Sequence, residues 1–183
     1  MKAFIDLETD GLADDCRVLE FALVVTDDQF GVLYETSLLV DPGVPLETVA
    51  AEAHPRVQEM HEANGLWDDL EAAIMAGSAV PLEDFEVAVN LVFDEAEEIV
   101  GQSLRNAPIA GFNPFFDRRK LEVRAPSAIR RLHYRSFDCS TLRALVQDRR
   151  SPLRGDVPHR ALGDCHSAIQ FAQWFLTDCL TPA

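Results

Sequence analysis

Positive charge is scarce in this chain. Sixteen Lys and Arg stand against 31 Asp and Glu, a formal charge of −15 over 183 residues. Spread evenly, that balance would repel a nucleic-acid partner. Cysteine is also sparse: Cys16, Cys139, Cys165 and Cys179 are far apart and form no CxxC pair. This argues against a disulfide framework or a zinc site and fits a reducing cytosol. Long apolar runs are missing, and none approaches the ~20 residues of a bilayer span. The opening MKAFIDLE reaches an acid at position 6, too early for a secretory signal. A cytoplasmic protein without a membrane partner, folding as a single domain over 1–183, is the expectation.

What positive charge there is lies in one window. Twelve of the sixteen cations fall between Arg118 and Arg160, with four acids among them (Glu122, Asp138, Asp148, Asp156). The window serves either to pair with acidic surface, in the same chain or a neighbour, or to hold phosphate.

Periodicity predicts a short buried strand at residues 2–7 (KAFIDL) and a second at 17–26 (RVLEFALVVT). The second turns at DDQFG into a third, VLYETSLLV, ending at Asp41-Pro42-Gly43. A helical region follows, clearest from Leu82 to Leu104. Its core face would be Leu82, Phe85, Val89, Val92, Phe93, Ala96, Ile99 and Val100, with Pro81 at the first helical position. IAGF (109–112) suggests a strand, after which Asn113 can cap a helix opening with Pro114 and holding Asp117 in its first turn. A basic segment after Pro126, a fifth strand SFDCS, a helix TLRALVQ and a final helix over about 161–180 complete the chain. A hairpin first and strand–helix alternation later predict an α/β fold, a mixed central sheet of about five strands flanked by helices.

The stretch FIDLETDGLADD (4–15) is dense in carboxylates. As a calcium loop it places acids and Gly11 correctly, but Arg17 stands where a bidentate Glu is required and no helix fits before it. As a strand it puts Asp6 and Glu8 on one face, a hard-oxygen pair suited to Mg²⁺ or Mn²⁺. Alone the pair says little, because about five acid-x-acid pairs arise by chance in so acidic a chain. Its company decides. Asp117 opens a helix directly after a strand in GFNPFFDRRKL, and PHRALGDCHSAI holds His159 five residues before Asp164.

With these segments the chain resembles the DEDDh 3′–5′ exonucleases, and among them the oligoribonucleases. FIDLETDGL is similar to their first motif, GFNPFFDRRKL to the second and PHRALGDCHSAI to the third. LHYRSFDCSTLRAL and MHEANGL are similar to further oligoribonuclease segments, and the matches, in order, cover about half the chain. The resemblance implies a ribonuclease-H-like sheet with Asp6, Glu8, Asp117 and Asp164 as ligands of two Mg²⁺ or Mn²⁺ ions. It makes His159 the general base, and the product a nucleoside 5′-monophosphate released from the 3′ end of short RNA or single-stranded nucleic acid.

It also implies substrate contacts, each with a plainer alternative. Leu12 would wedge against the terminal base, or pack in the core. Tyr134 would stack on a base and Arg135 contact phosphate, each offered to the other subunit of a homodimer, or both are surface residues. Ser140 and Thr141 would hold the terminal phosphate, or Ser140 caps the next helix. Asn113 stands where the family tends to have serine, the tryptophan expected shortly before MHEANGL is absent, and residues 41–106 match poorly. These departures bear on substrate length and identity and leave the metal chemistry alone. Asp10, Asp14 and Asp15 are expected as solvated turn residues, Asp138 and His166 as structural or surface groups, and Trp67 and Trp174 as core anchors. His54 and His61, separated by Pro55, suggest no metal site. The rival functions are a proofreading or trimming DNA exonuclease, a catalytically silent nucleic-acid-binding module, and an acidic interaction protein of another fold.

Overall fold

The computed structural model describes residues 1–146 and 159–179. Six strands make one mixed sheet: β1 (Lys2–Thr9), β2 (Val18–Thr26), β3 (Val32–Asp41), β4 (Val80–Pro81), β5 (Pro108–Gly111) and β6 (His133–Asp138). Their order across the sheet is β4-β3-β2-β1-β5-β6. β1, β2 and β3 pair antiparallel, while β5 joins β1, β6 joins β5 and β4 joins β3 in parallel. The five expected strands are present. The sixth, β4, is two residues long, too short to leave an alternation in the sequence.

Eight helices surround the sheet: α1 (Leu46–Glu52), α2 (Pro55–Ala63), α3 (Leu66–Ala76), α4 (Phe85–Val100), α5 (Pro114–Arg124), α6 (Pro126–Ile129), α7 (Cys139–Leu145) and α8 (Ala161–Trp174). Among the described residues none is long and apolar enough to cross a membrane.

The pleat of β1 sorts its residues between two cores. Ala3, Ile5 and Leu7 pack with Phe21, Leu23 and Val25 beneath Phe85, Val89 and Phe93 of α4 and Leu121 of α5. Phe4 points the other way, into a cluster with Ala22, Val24 and the α8 residues Cys165, Ile169 and Ala172. Each of these buried phenylalanines contributes roughly 1.5–3 kcal/mol through area removed from water. Asp6 and Glu8 continue the even-numbered row of Phe4, so the strand that builds the core also presents two carboxylates to α8. Every residue of β2 is buried, which fixes the register in which Glu8 lies opposite Glu20.

Several element ends differ from the sequence expectation. Leu82–Asp84 form a 3₁₀ turn and α4 spans only Phe85–Val100, with Pro81 in β4 rather than at a helix start. Gly101, at φ 69°, takes the left-handed conformation that stops α4. Ile99 is not a core residue but 59% exposed, and Val100 packs inward in its place. Asn113 does precede α5, but at φ 56° and with no capping bond from its side chain. Asparagine tolerates that left-handed geometry better than most residues, and the Asn113 N–H is held by Asp138 Oδ1 at 3.2 Å. β6 begins at His133 and ends at Asp138, which caps α7 through Ser140 N–H at 2.8 Å. Ser140 is thus inside the helix and not its cap. The expected helix ends at Gln147 and Leu180, and the window residues Asp148, Arg149, Arg150, Arg154 and Asp156, lie outside the described residues.

The acidic turn after β1 is not simply solvated. Asp10 accepts from the backbone and guanidinium of Arg17 at 2.9 and 2.8 Å, because the chain folds straight back into β2. Asp14 pairs with Arg119. Two further cations of α5 grip the same turn: Lys120 Nζ donates to Ala13 O at 2.7 Å, and Arg124 Nε donates to Cys16 O at 3.0 Å. Lys120 is 1% exposed and lies 3.9 Å from the centre of the Phe116 ring. Substituting Lys120→Met removes the charged donor of the Ala13 carbonyl, leaving it only the Cys16 N–H at 3.3 Å, and is expected to cost about 1–3 kcal/mol in a urea melt. A wild-type midpoint in that variant would show that the latch adds nothing.

The basic window is largely spoken for. Of its nine described cations, six hold partners within the fold: Arg118 on the His133 carbonyl, Arg119, Lys120 and Arg124 on the turn after β1, Arg131 on Asp94 and Glu97, and Arg160 on Glu20 and Asp69. Arg130, Arg135 and Arg143 have no ion-pair partner among the described residues. Two thirds of the described part of this apparent phosphate face is internal scaffolding.

Candidate active site

At the carboxyl end of β1, oxygens of Asp6, Glu8 and Asp164 all lie within 4.8 Å of one another. The strand supplies two of them by its two-residue repeat, and the first turn of α8 supplies the third. Asp117, in the first turn of α5 and 3% exposed, approaches from the other side of β1. β5 pairs with β1 only at Ala3 and Phe4, and beyond that ladder the Leu7 N–H donates to Asp117 Oδ1 at 3.1 Å. Asp117 is thus tied to β1 itself, with one carboxylate oxygen used by the backbone. Asp117 stands outside the tight threefold cluster, yet its charge is the foremost neighbouring influence on Asp6.

The four carboxyls hold their protons unusually well. Asp6 is raised well above the carboxylate range, first by loss of water and then by Asp117, Glu8, Asp164 and Glu20. Burial, followed by Asp164 and Glu20, lifts Glu8 to about 8. Burial brings Asp117 to about 7 against the opposing Leu7 N–H and Lys120, and Asp164 to about 6 against the pull of His159. Anions so packed repel one another and lose hydration, a cost that divalent cations relieve. The donor set of hard carboxylate oxygens fits such a cation.

His159 stands at the rim. Its side chain is 61% exposed, and Nδ1 lies 3.8 Å from Asp164 Oδ2, an electrostatic contact too long for a hydrogen bond. Leu12, 68% exposed, projects from the gripped turn and is not a core residue. Tyr134 is 74% exposed, with the Arg135 guanidinium 5.4 Å from its ring centre. Thr141 Oγ1 donates to Asp138 Oδ2 at 2.7 Å, so its proton is taken, whereas the Ser140 hydroxyl has no such tie among the described residues. Asn113 is exposed at the start of α5.

Sequence reasoning passed over several residues that shape this site. Glu20 is 4% exposed and receives Arg160 Nε and Nη2 at 3.0 and 3.1 Å. An acid in the middle of the otherwise apolar RVLEFALVVT was the available signal. His61 is fully buried, its Nε2 3.0 Å from the Thr9 carbonyl and its Nδ1 3.8 Å from Glu8. His166, by contrast, is the surface residue expected, on Glu35.

No protein-family model matches the chain. Among curated proteins it is similar to the oligoribonuclease of Mycobacterium avium, 30% identical over 182 residues, covering 94% of this chain and 78% of the relative. It is likewise 30% identical to the oligoribonuclease of Corynebacterium diphtheriae, covering 94% of this chain and 80% of that one. Among solved structures it is similar in fold to zinc-bound E. coli exonuclease I with single-stranded DNA, at TM-score 0.67 and 18% identity over 97% of this chain. Exonuclease I of Methylocaldum szegediense gives TM-score 0.67 at 17% identity over 98% of this chain. The chain spans about two fifths of those exonuclease I chains, and the likeness is one of ribonuclease-H-like fold. Near-full coverage of the curated relatives, with every matched motif in its place on that fold, puts this chain in the oligoribonuclease family.

Proposed function

We propose that this protein is a metal-dependent 3′–5′ exonuclease that hydrolyses short RNA, or the ends of single-stranded nucleic acid, to nucleoside 5′-monophosphates. The observation that supports this most is the meeting of Asp6, Glu8 and Asp164 within 4.8 Å, beside His159. In this reading Asp6, Glu8, Asp117 and Asp164 hold a pair of Mg²⁺ or Mn²⁺ ions. Those ions, when bound, stabilise charge on the attacking and leaving oxygens of an in-line displacement. His159, free at the rim, accepts the proton of the attacking water as general base. Leu12 wedges against the terminal base, and Ser140, with Asn113 and Thr141 beside it, faces the terminal phosphate. Tyr134 offers a stacking surface of ~1–3 kcal/mol per base, and Arg135 a phosphate contact. Both are exposed enough to serve a partner copy in a cytoplasmic homodimer of single-domain chains.

The scarcity of unpaired cations favours short substrates. A long strand needs many phosphate contacts, each salt-sensitive, and among the described residues of the window only Arg130, Arg135 and Arg143 have a guanidinium held by neither an acid nor a backbone carbonyl. Incubation with Mg²⁺ and labelled dinucleotides, longer RNA and single-stranded DNA tests the reading. Dinucleotides are expected to disappear fastest, yielding 5′-monophosphates. Faster digestion of long single-stranded DNA would instead favour a DNA exonuclease, the class of the E. coli protein of similar fold.

A further inference from the structure

The short segment that carries His159 is held at three consecutive residues. At the first, Asn64 Nδ2 donates to the His159 carbonyl. The other end of the same amide accepts the Leu66 N–H at 2.9 Å, which settles that the NH₂ faces His159. At the second, Arg160 sends Nε and Nη2 to Glu20 at 3.0 and 3.1 Å and Nη1 to Asp69 at 2.6 Å. At the third, the Ala161 N–H donates to Glu20 Oε2 at 3.0 Å. The imidazole itself is mostly in solvent and among the described residues has only the 3.8 Å contact to Asp164, so these backbone anchors set its location.

Asn64 and Asp69 belong to one corner, the turn from α2 into α3. Gly65 makes that turn at φ 76°, a left-handed geometry that a side chain would strain. The same corner sends His61 to the Thr9 carbonyl at 3.0 Å, one residue beyond Glu8. One helical corner therefore touches both the strand of the metal ligands and the backbone of the exposed histidine.

We propose that the α2–α3 corner positions His159, with Asn64 acting on its carbonyl and Asp69 acting through Arg160. These are positioning residues, since neither holds a metal ligand or reaches the reacting atoms. The proposal rests on the reading of His159 as general base, and its consequence for rate follows from that reading.

The test uses the full chain with Mg²⁺ and a dinucleotide, comparing Asn64→Ala, Asp69→Asn and His159→Ala, and Asn64→Ala combined with His159→Ala. Asn64→Ala is expected to lower kcat by about tenfold, with KM within about twofold, because a slightly misplaced base slows chemistry without weakening binding. Hydrogen exchange at the Ala161 amide should quicken by about tenfold as the anchor opens locally, while global melting moves little. Asp69→Asn should move kcat and exchange in the same direction by less, its carboxylate being half-exposed. In the His159→Ala background, adding Asn64→Ala should change kcat by less than about twofold, the non-additivity of residues acting as a unit. Unchanged exchange at Ala161 in Asn64→Ala overturns the proposal, and so does a kcat loss that persists undiminished without His159. Should His159→Ala alone retain full activity, the general-base reading falls, and the exchange measurement still decides whether the corner anchors the segment.

Discussion

Replacing Asp6 by asparagine is expected to abolish turnover and, at the same time, to make the metal-free protein more stable. The two effects share one cause. Asp6 sits among Asp117, Glu8 and Asp164, shielded from water, and each neighbour disfavours its ionised form. Asparagine keeps the shape and removes the charge, so the native state without cations loses its worst repulsion. On the proposed reading the same substitution deletes a hard anionic ligand. Charge stabilisation by the ions is worth several kcal/mol at the transition state, so kcat should fall by about a thousandfold or more. Melting curves in EDTA should rise by roughly 2–4 °C for each kcal/mol of repulsion relieved. A variant that keeps a tenth of wild-type activity, or melts lower in EDTA, would contradict the arrangement of carboxylates as a cation site.

The second large effect is a dependence of metal-free stability on pH that runs opposite to the usual acid sensitivity of proteins. Folding raises Glu8 to about 8, Asp117 to about 7 and Asp164 to about 6, while an unfolded carboxyl titrates near ~4. Between those limits the folded chain holds protons that the unfolded chain has released. Stability from these groups is then fully present below the unfolded value and is lost as pH climbs through 6, 7 and 8. In EDTA the melting temperature should drop by several degrees, on the order of 5 °C, between pH 5.5 and pH 8.5. Saturating Mg²⁺ or Mn²⁺ should erase the drop, because cations replace the protons and bind best where the carboxyls are ionised. Scanning calorimetry at the two pH values, with and without metal, gives the comparison. A melting point that rises toward pH 8.5 in EDTA would show that these carboxyls are comfortable as anions and need no cation.

Much of the fold and of the carboxylate cluster could be read in the sequence because local chemistry announced it. β1 and β2 are strongly patterned, and the Asp6–Glu8 pair follows from the pleat once β1 is accepted as a strand. Asp117 and Asp164 stood out because each opens a helix after a strand or loop. What escaped was chemistry created by tertiary pairing. Glu20 becomes buried only because the hairpin register sets it opposite Glu8 and Arg160 returns from 140 residues away. His61 and Asn64 gain their roles from the tight corner at Gly65, whose partners lie on β1 and beside α8. Asp10 reads as a turn residue until Arg17 folds onto it. Ile99 fits the apolar spacing of α4, yet at the last turn of the helix it falls on the solvent side while Val100 meets the core. The charge window misled in a similar way: six of its nine described cations look free in one dimension and are occupied in three.

Helix α5 delivers Asp117 with one side and, with Arg119, Lys120 and Arg124, grips the turn that displays Leu12. On the proposed reading, the residue that gauges the strand end and one holder of the ions are mounted on a single bracket. A new turn grafted after β1 would then have to bring its own helix, or it would disturb Asp117 along with Leu12.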